Sequence, residues 1–279
     1  GAGLVHDPHF DLFRRLAQAA DAHQARFEAG FPAWPPPDAR AAVWYLGPDG
    51  RLLEEPPSED GVRSYRHDPD AGGVTYYAGG DWRGPLVETD WAPGPEGTVL
   101  SYVTDPLEQD LVVAGNSGYA TLWFATDETD ATVAVTLTEV RPVGIEYLVQ
   151  SGVLRIGTHH VPDPTNTDPF LVDYSYREED FQPPEPGRFQ AVLVPIRPFA
   201  HPFRARSRIR LLVSTPGRDA PLWAYENPDY AGRQVFHHVA HGPAMPSDLV
   251  LPLVEGIPVP RGLPPCPSLR GQACREAAF

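Results

Sequence analysis

The sequence predicts a mostly β protein, an antiparallel β-sandwich preceded by one amphipathic helix. Three observations carry this. First, between Leu111 and Arg155 the side chains fall on two faces with a period of two. Ala120, Leu122 and Phe124 oppose Tyr119, Thr121 and Trp123, and Val133, Val135 and Leu137 oppose Thr132, Ala134, Thr136 and Thr138. A period of two marks a strand with one buried face. Second, the links DETD (127–130) and RPVG (141–144) are too short for a parallel crossover, which needs about a dozen residues, so consecutive strands run antiparallel. Third, the chain of 279 residues holds 34 Pro and 25 Gly scattered between short apolar runs, which suits many short strands.

Composition narrows the function. The length fits one large β domain or two small ones, and 42% hydrophobic residues are enough for a core without metal. The formal net charge is −15 and every basic residue is arginine, so the basic footprint of a nucleic-acid binder is missing. No apolar run approaches the ~18 residues of a membrane span, and no signal peptide is visible at the start. The chemistry inventory has no G-x-S-x-G, no glycine-rich phosphate loop, no H-E-x-x-H and no thiol nucleophile, so no cofactor is expected. The nearest string to a nucleophile elbow, GNSG at 115–118, sits in a turn between strands.

The elements follow in order. Asp7 and Pro8 are a helix-start signal, Leu12, Leu16, Ala20, His23 and Phe27 share one helical face, and Gly30 ends the run, so residues 8–29 read as the helix. Residues 32–39 are a Pro-rich linker. AAVWYLGPDGRL (41–52) is a hairpin with a PDG turn. Residues 70–97 form a long loop in which Tyr76, Tyr77, Trp82 and Trp91 either line a groove or pack the loop onto the sandwich. TDETD (126–130) reads as a solvated turn, since it lacks the helix–loop–helix calcium pattern. Residues 157–187 show little periodicity. RFQAVLV (188–194) and RIRLLVS (208–214) are strands, with Ile209, Leu211 and Val213 inward. In the loop 216–228, Trp223 is a packing anchor and Asn227 a turn former. VFHHVAHG as a strand places His237 and His241 on one face. No carboxylate or cysteine neighbours them in sequence, so they read as polar positions on a sheet surface rather than metal ligands. DLVLPLV (248–254) is the last strand. Cys266 and Cys274 stand close together in the Pro-rich tail, either as a disulfide closing a small loop or as two free thiols; a bridge would imply export.

These motifs resemble a known family. The order ATLWFA, TDETD, TVAVTLTEV, RPVG, SGVLR is similar to the C-terminal jelly-roll domain of the X-prolyl dipeptidyl peptidase and cocaine-esterase-like (CocE/NonD) serine hydrolases. The matching residues are Asp130, Leu137, Val140, Pro142, Gly144, Gly152 and Arg155, while Glu139 and Ser151 stand where the family has Asp. Further similar stretches are Tyr45 to Leu52, Tyr65 with Asp68 and Pro69, Tyr176 with Arg177, Ile209 to Asn227 and His241 to Val254. Arg206 and Ser207 depart from the family's Gly-His.

The resemblance implies a galactose-binding-like jelly roll over 37–256. It makes 1–36 the terminal loop and helix of an α/β-hydrolase domain, and 257–279 a Pro-rich tail. It implies an accessory domain of an enzyme that cleaves ester or amide bonds through an acyl-enzyme, packed on the catalytic domain and shaping its cleft. This chain alone then lacks the serine nucleophile and is inactive. His6, in a loop ahead of the helix, is the candidate triad base, the alternative being an ordinary surface-loop histidine. Trp82, Trp91, Trp223 and Asn227 are the candidate cleft or interface residues, Cys266 and Cys274 the disulfide, with no metal. The implied partners are the upstream α/β-hydrolase domain, through it a small-molecule or peptide substrate, and other copies of the chain, with no nucleic acid and no membrane. The disulfide, rather than the resemblance, would imply a secreted or periplasmic location. A competing reading is a stand-alone carbohydrate-binding sandwich presenting Trp82, Trp91 and Trp223.

Overall fold

The computed structural model describes residues 28–73, 91–158, 165–218, 227–263 and 273–278. The strands are β1 (Arg40–Leu46), β2 (Leu52–Leu53), β3 (Gly61–Arg66), β4 (Val99–Val103), β5 (Leu111–Gly115), β6 (Gly118–Thr126), β7 (Thr132–Val140), β8 (Ile145–Arg155), β9 (Gln190–Ile196), β10 (Phe199–Phe203), β11 (Arg208–Ser214), β12 (Phe236–His241), β13 (Asp248–Val254) and β14 (Cys274–Glu276). The helical content among the described residues is one 3-10 turn, Glu178–Asp180. The helix expected over 8–29 lies outside the described residues except for Glu28 and Ala29, which are irregular chain.

Two antiparallel sheets form. The larger has the order β10-β5-β13-β6-β12-β3, with β1 and β2 joined through β13 and β9 joined to β6; the smaller has the order β14-β8-β7-β11-β4. The chain changes sheet between β3 and β4, β4 and β5, β6 and β7, β8 and β9, β10 and β11, β11 and β12, and β13 and β14. This repeated crossing makes the predicted sandwich. Its core lies where the alternation put it: Leu122 and Phe124 of β6, Val133, Val135 and Leu137 of β7, and Ile209, Leu211 and Val213 of β11 are all fully buried. Each such side chain contributes about 1.5–3 kcal/mol of transfer free energy.

Three expectations need correction. The polar face of β7 is not free: Thr132 and Thr138 are buried too. Residues 91–97 and Arg275 lie along that face and wall a cleft with Ala134, Thr136 and Ser214. His237 and His241 do share a strand face, but it is the buried one. The reason is that β12 lies between β6 and β3, so one of its faces must point into the core. The tail is not only a Pro-rich loop, because its β14 pairs with β8 from Cys274 opposite Tyr147 to Glu276 opposite Ile145.

The sheets touch directly at one corner. A Cβ on Gly152 of β8 would stand 1.8 Å from the carbonyl oxygen of Pro195 on β9. Arg197 N also donates to Ser151 O at 3.3 Å, a hydrogen bond between the sheets.

Candidate functional site

Residues singled out one by one in the sequence meet around a single groove of about 1340 Å³. Its walls come from the 128–130 turn, the end of β8, residues 171–176 and residues 227–233. Pro69, Asp130, Gly152, Arg155, Tyr176 and Asn227 all line it.

Several have an identifiable job. Arg155 forks onto Asp130, Nε to Oδ1 at 3.0 Å and Nη2 to Oδ2 at 2.8 Å, and its guanidinium lies over the Phe181 ring. This bidentate pair closes the open end of the β7–β8 hairpin, where Thr132 faces Arg155. The Asp130 carbonyl accepts the Tyr230 hydroxyl at 2.7 Å. Burial, and then the charges of Asp130 and Glu128, push the Tyr230 phenol well above its ordinary value, so it remains a donor. Arg233 forks onto Glu128 in the same turn. The TDETD turn is thus strapped by two arginines rather than simply solvated.

Asn227 holds a turn, as its residue type suggested. Its Nδ2 donates to Gly217 O at 2.9 Å and its Oδ1 accepts Gly217 N at 3.3 Å. Gly217 has φ +59°, and a Cβ there would lie 2.1 Å from Ala71 O, so glycine is required. Tyr176 stands on the rim with φ 49° and is 76% exposed, an unusual backbone for an aromatic residue. Leu171, also exposed, lines the same groove.

Trp91 does not reach this groove. Arg275 lies over its ring at 3.9 Å in the cleft on the smaller sheet. Arg275 Nε in turn donates to Glu146 Oε2 at 2.9 Å, and Glu146 is fully buried with Thr138 and Arg210. The buried Glu146 is a residue that sequence reasoning missed, since a lone Glu in a strand pattern reads as solvent-facing. Glu139 is buried as well. Burial pushes its carboxyl up, but the hydrogen bond and charge of His201, the charge of Arg141 and the Arg204 N–H outweigh that and hold it at about 2. His6, Trp82, Trp223 and Cys266 lie outside the described residues. Cys274 is not a free thiol. Ser117 of the GNSG string is buried with its hydroxyl against the carbonyls of Gly118 and Ile196, a geometry that cannot present a nucleophile. No group of three or more His, Cys, Asp or Glu side chains poised for a metal occurs among the described residues.

Two of the groove's carboxylates are matched within it, Asp130 by Arg155 and Glu128 by Arg233, and its rim carries the exposed Leu171 and Tyr176. The fold is an antiparallel sandwich, and residues singled out in the sequence gather at one groove of it. The comparison with known families agrees. The chain belongs to the X-Pro dipeptidyl-peptidase C-terminal non-catalytic domain family, whose model matches residues 8–250. Among solved structures it is similar in fold to an aminopeptidase from a marine sediment archaeon, Thaumarchaeota archaeon (TM-score 0.59, 20% identity, 84% of this chain and 40% of that one). It is similar also to a CocE/NonD family hydrolase from Staphylococcus aureus (TM-score 0.60, 16% identity, 84% and 40%). A third is an α-amino acid ester hydrolase (TM-score 0.56, 22% identity, 77% and 36%). The chain therefore spans at most 40% of the length of these structures. No curated protein matches it.

Proposed function

We propose that this chain acts as the C-terminal accessory domain of a serine hydrolase of the X-Pro dipeptidyl-peptidase and cocaine-esterase-like kind. In this reading an α/β-hydrolase domain carries the nucleophile and cleaves an ester or amide bond. The sandwich packs on it and forms one wall of its cleft. The observation that carries the reading is the convergence of Pro69, Asp130, Gly152, Arg155, Tyr176 and Asn227 on one groove. Its Asp130 and Glu128 are already paired with arginines and its rim presents Tyr176 and Leu171, which suits contact with another protein surface. His6 is the candidate triad base of the whole enzyme, and Trp82, Trp223 and Asn227 are the candidate residues of the cleft wall, Trp91 lying instead with Arg275 in the cleft on the smaller sheet. A Cys266–Cys274 bridge, in keeping with the absence of a free thiol at Cys274, would pin the tail and suit an exported protein. The saccharide-binding reading needs exposed aromatic rings, and that of Trp91 is covered by Arg275.

The test compares the polypeptide encoded by the complete reading frame with the 279-residue chain. The complete polypeptide is expected to cleave X-Pro p-nitroanilides or α-amino esters. The chain by itself is expected to leave the anilide intact and to bind a separately produced hydrolase portion. Anilide cleavage by the chain alone at the full rate would overturn the reading.

A further inference from the structure

Three residues far apart in sequence meet on the outer face of the larger sheet. Ser64 of β3 stands directly opposite His238 of β12, and His238 stands opposite Ala125 of β6, two residues before Asp127. Ser64 Oγ lies 2.7 Å from His238 Nδ1, and His238 Nε2 lies 3.2 Å from Asp127 Oδ1. One imidazole thus bridges a hydroxyl and a carboxylate. The ladder explains the closeness. His67 N donates to Val235 O, so by alternation 64/238 is a pair without mutual backbone hydrogen bonds, the kind whose side chains approach most closely. Asp127 is fixed in turn, its Oδ2 accepting Phe236 N at 3.2 Å.

The group is reachable. Ser64 is exposed, and the His238 and Asp127 side chains are 25% and 49% exposed. Apolar surface flanks it: Val62, two residues from Ser64 on the same face, and Phe236, two residues from His238, are 48% and 37% exposed. Arg66 follows Ser64 on that face, opposite Phe236.

We propose that Ser64, His238 and Asp127 form a second acyl-transfer site that slowly hydrolyses activated short-chain esters, separate from the chemistry of any hydrolase domain. Asp127 favours the tautomer with the proton on Nε2, leaving Nδ1 free to accept. Nδ1 takes the Ser64 proton as Oγ attacks the ester carbonyl, and Asp127 stabilises the imidazolium. The bond from the acyl carbon to the leaving oxygen breaks, and the departing alkoxide or phenoxide takes the proton from Nδ1. His238 then deprotonates a water, which attacks the acyl-Ser64 ester. Ser64 leaves with that proton, and the products are one carboxylic acid and one alcohol. Val62 and Phe236 hold the acyl chain, while Arg66 on the same face is paired with Asp68 at 3.8 Å, so solvent alone meets the oxyanion. Each missing oxyanion donor costs about 10²–10³ in rate, which restricts the site to good leaving groups. Ser64 and His238 are catalytic residues of this site and Asp127 is a positioning residue.

The test is hydrolysis of p-nitrophenyl butyrate by the 279-residue chain, with mass mapping after a rapid quench with p-nitrophenyl acetate. Expected are turnover above that of free imidazole at equal concentration and an acetyl adduct on the peptide containing Ser64. Ser64→Ala and His238→Ala each lower the rate by roughly 10²-fold. Asp127→Asn lowers it while Asp127→Glu restores part of it, a rescue that a loosened turn would not give. Circular dichroism and the thermal midpoint check that each variant stays folded. Turnover no greater than free imidazole, a rate unchanged by Ser64→Ala, or an adduct on another residue would each overturn the proposal. This assay reads ester hydrolysis by the chain alone and the preceding one reads anilide cleavage by the complete polypeptide, so either can fail without the other.

Discussion

Gly152 is where the two sheets have no room to spare. The atom that an added Cβ would strike is a backbone carbonyl at 1.8 Å, which cannot swing aside as the tip of a side chain could. Gly152→Ala is therefore expected to cost about 2 kcal/mol or more, seen as a lower urea midpoint at constant slope. An unchanged midpoint would show the corner to be pliable. The buried ionisable groups make a second residue-level prediction. Burial, then the neighbouring charges of His67 and His238, hold His237 at about 3 against an opposing pull from Asp127. Between that value and its ordinary 6.5 the unfolded chain takes up a proton that the folded chain refuses, so stability falls as pH drops through this window. Glu139 acts lower: held at about 2 against an ordinary 4.5, it stabilises the fold above 4.5, and that contribution is lost as pH falls towards 2. His237→Phe should flatten the fall of the urea midpoint between pH ~6.5 and ~4.5 and leave the steeper limb below it. A wild-type-like slope in the variant would mean that another group titrates there. That His237 and His241 share a face was legible from their spacing. Which face was not, because histidine's polarity argues for the surface while the central position of β12 decides for the core.

The strands that could be read from the sequence are those whose period is clean. β6, β7 and β11 lie where the alternation of Leu122, Val135 and Leu211 put them, and the β1–β2 hairpin closes at its PDG turn. β10 and β14 were not legible. β10 carries Pro202 and sits at a sheet end, where a proline's missing N–H is tolerated, and β14 is only Cys-Arg-Glu. Such short segments become strands because a neighbouring edge recruits them. β14 covers the edge of β8 and brings Arg275 to the buried Glu146. Removing residues 257–279 is expected to lower the thermal midpoint and, by baring the β8 edge, to produce concentration-dependent association in light scattering. A monomeric truncation with an unchanged midpoint would show that β14 contributes neither stability nor protection.

At the scale of the molecule, single residues of the groove were legible and their meeting was not. Asp130, Arg155, Tyr176 and Asn227 lie within a hundred residues of one another, but only the crossing between sheets brings them to one end. Arg155 gives no sign in the sequence that Asp130 is its mate, nor Arg233 that Glu128 is. Ser64, His238 and Asp127 were invisible for the same reason, because strand order, unlike spacing, cannot be read from one chain. That strand order also sets when the domain can exist. Among the described residues β1 pairs with β2 and β13 alone, and β13 also meets β5 and β6. The first strand and the middle of the larger sheet therefore wait for Val254 to be made. At about 5–20 residues per second, a ribosome leaves β1 without its neighbour for roughly ten to forty seconds. During that time the growing chain shows unsatisfied strand edges, and so chaperone demand during synthesis, rather than the stability of the finished sandwich, is expected to limit its yield in the cell.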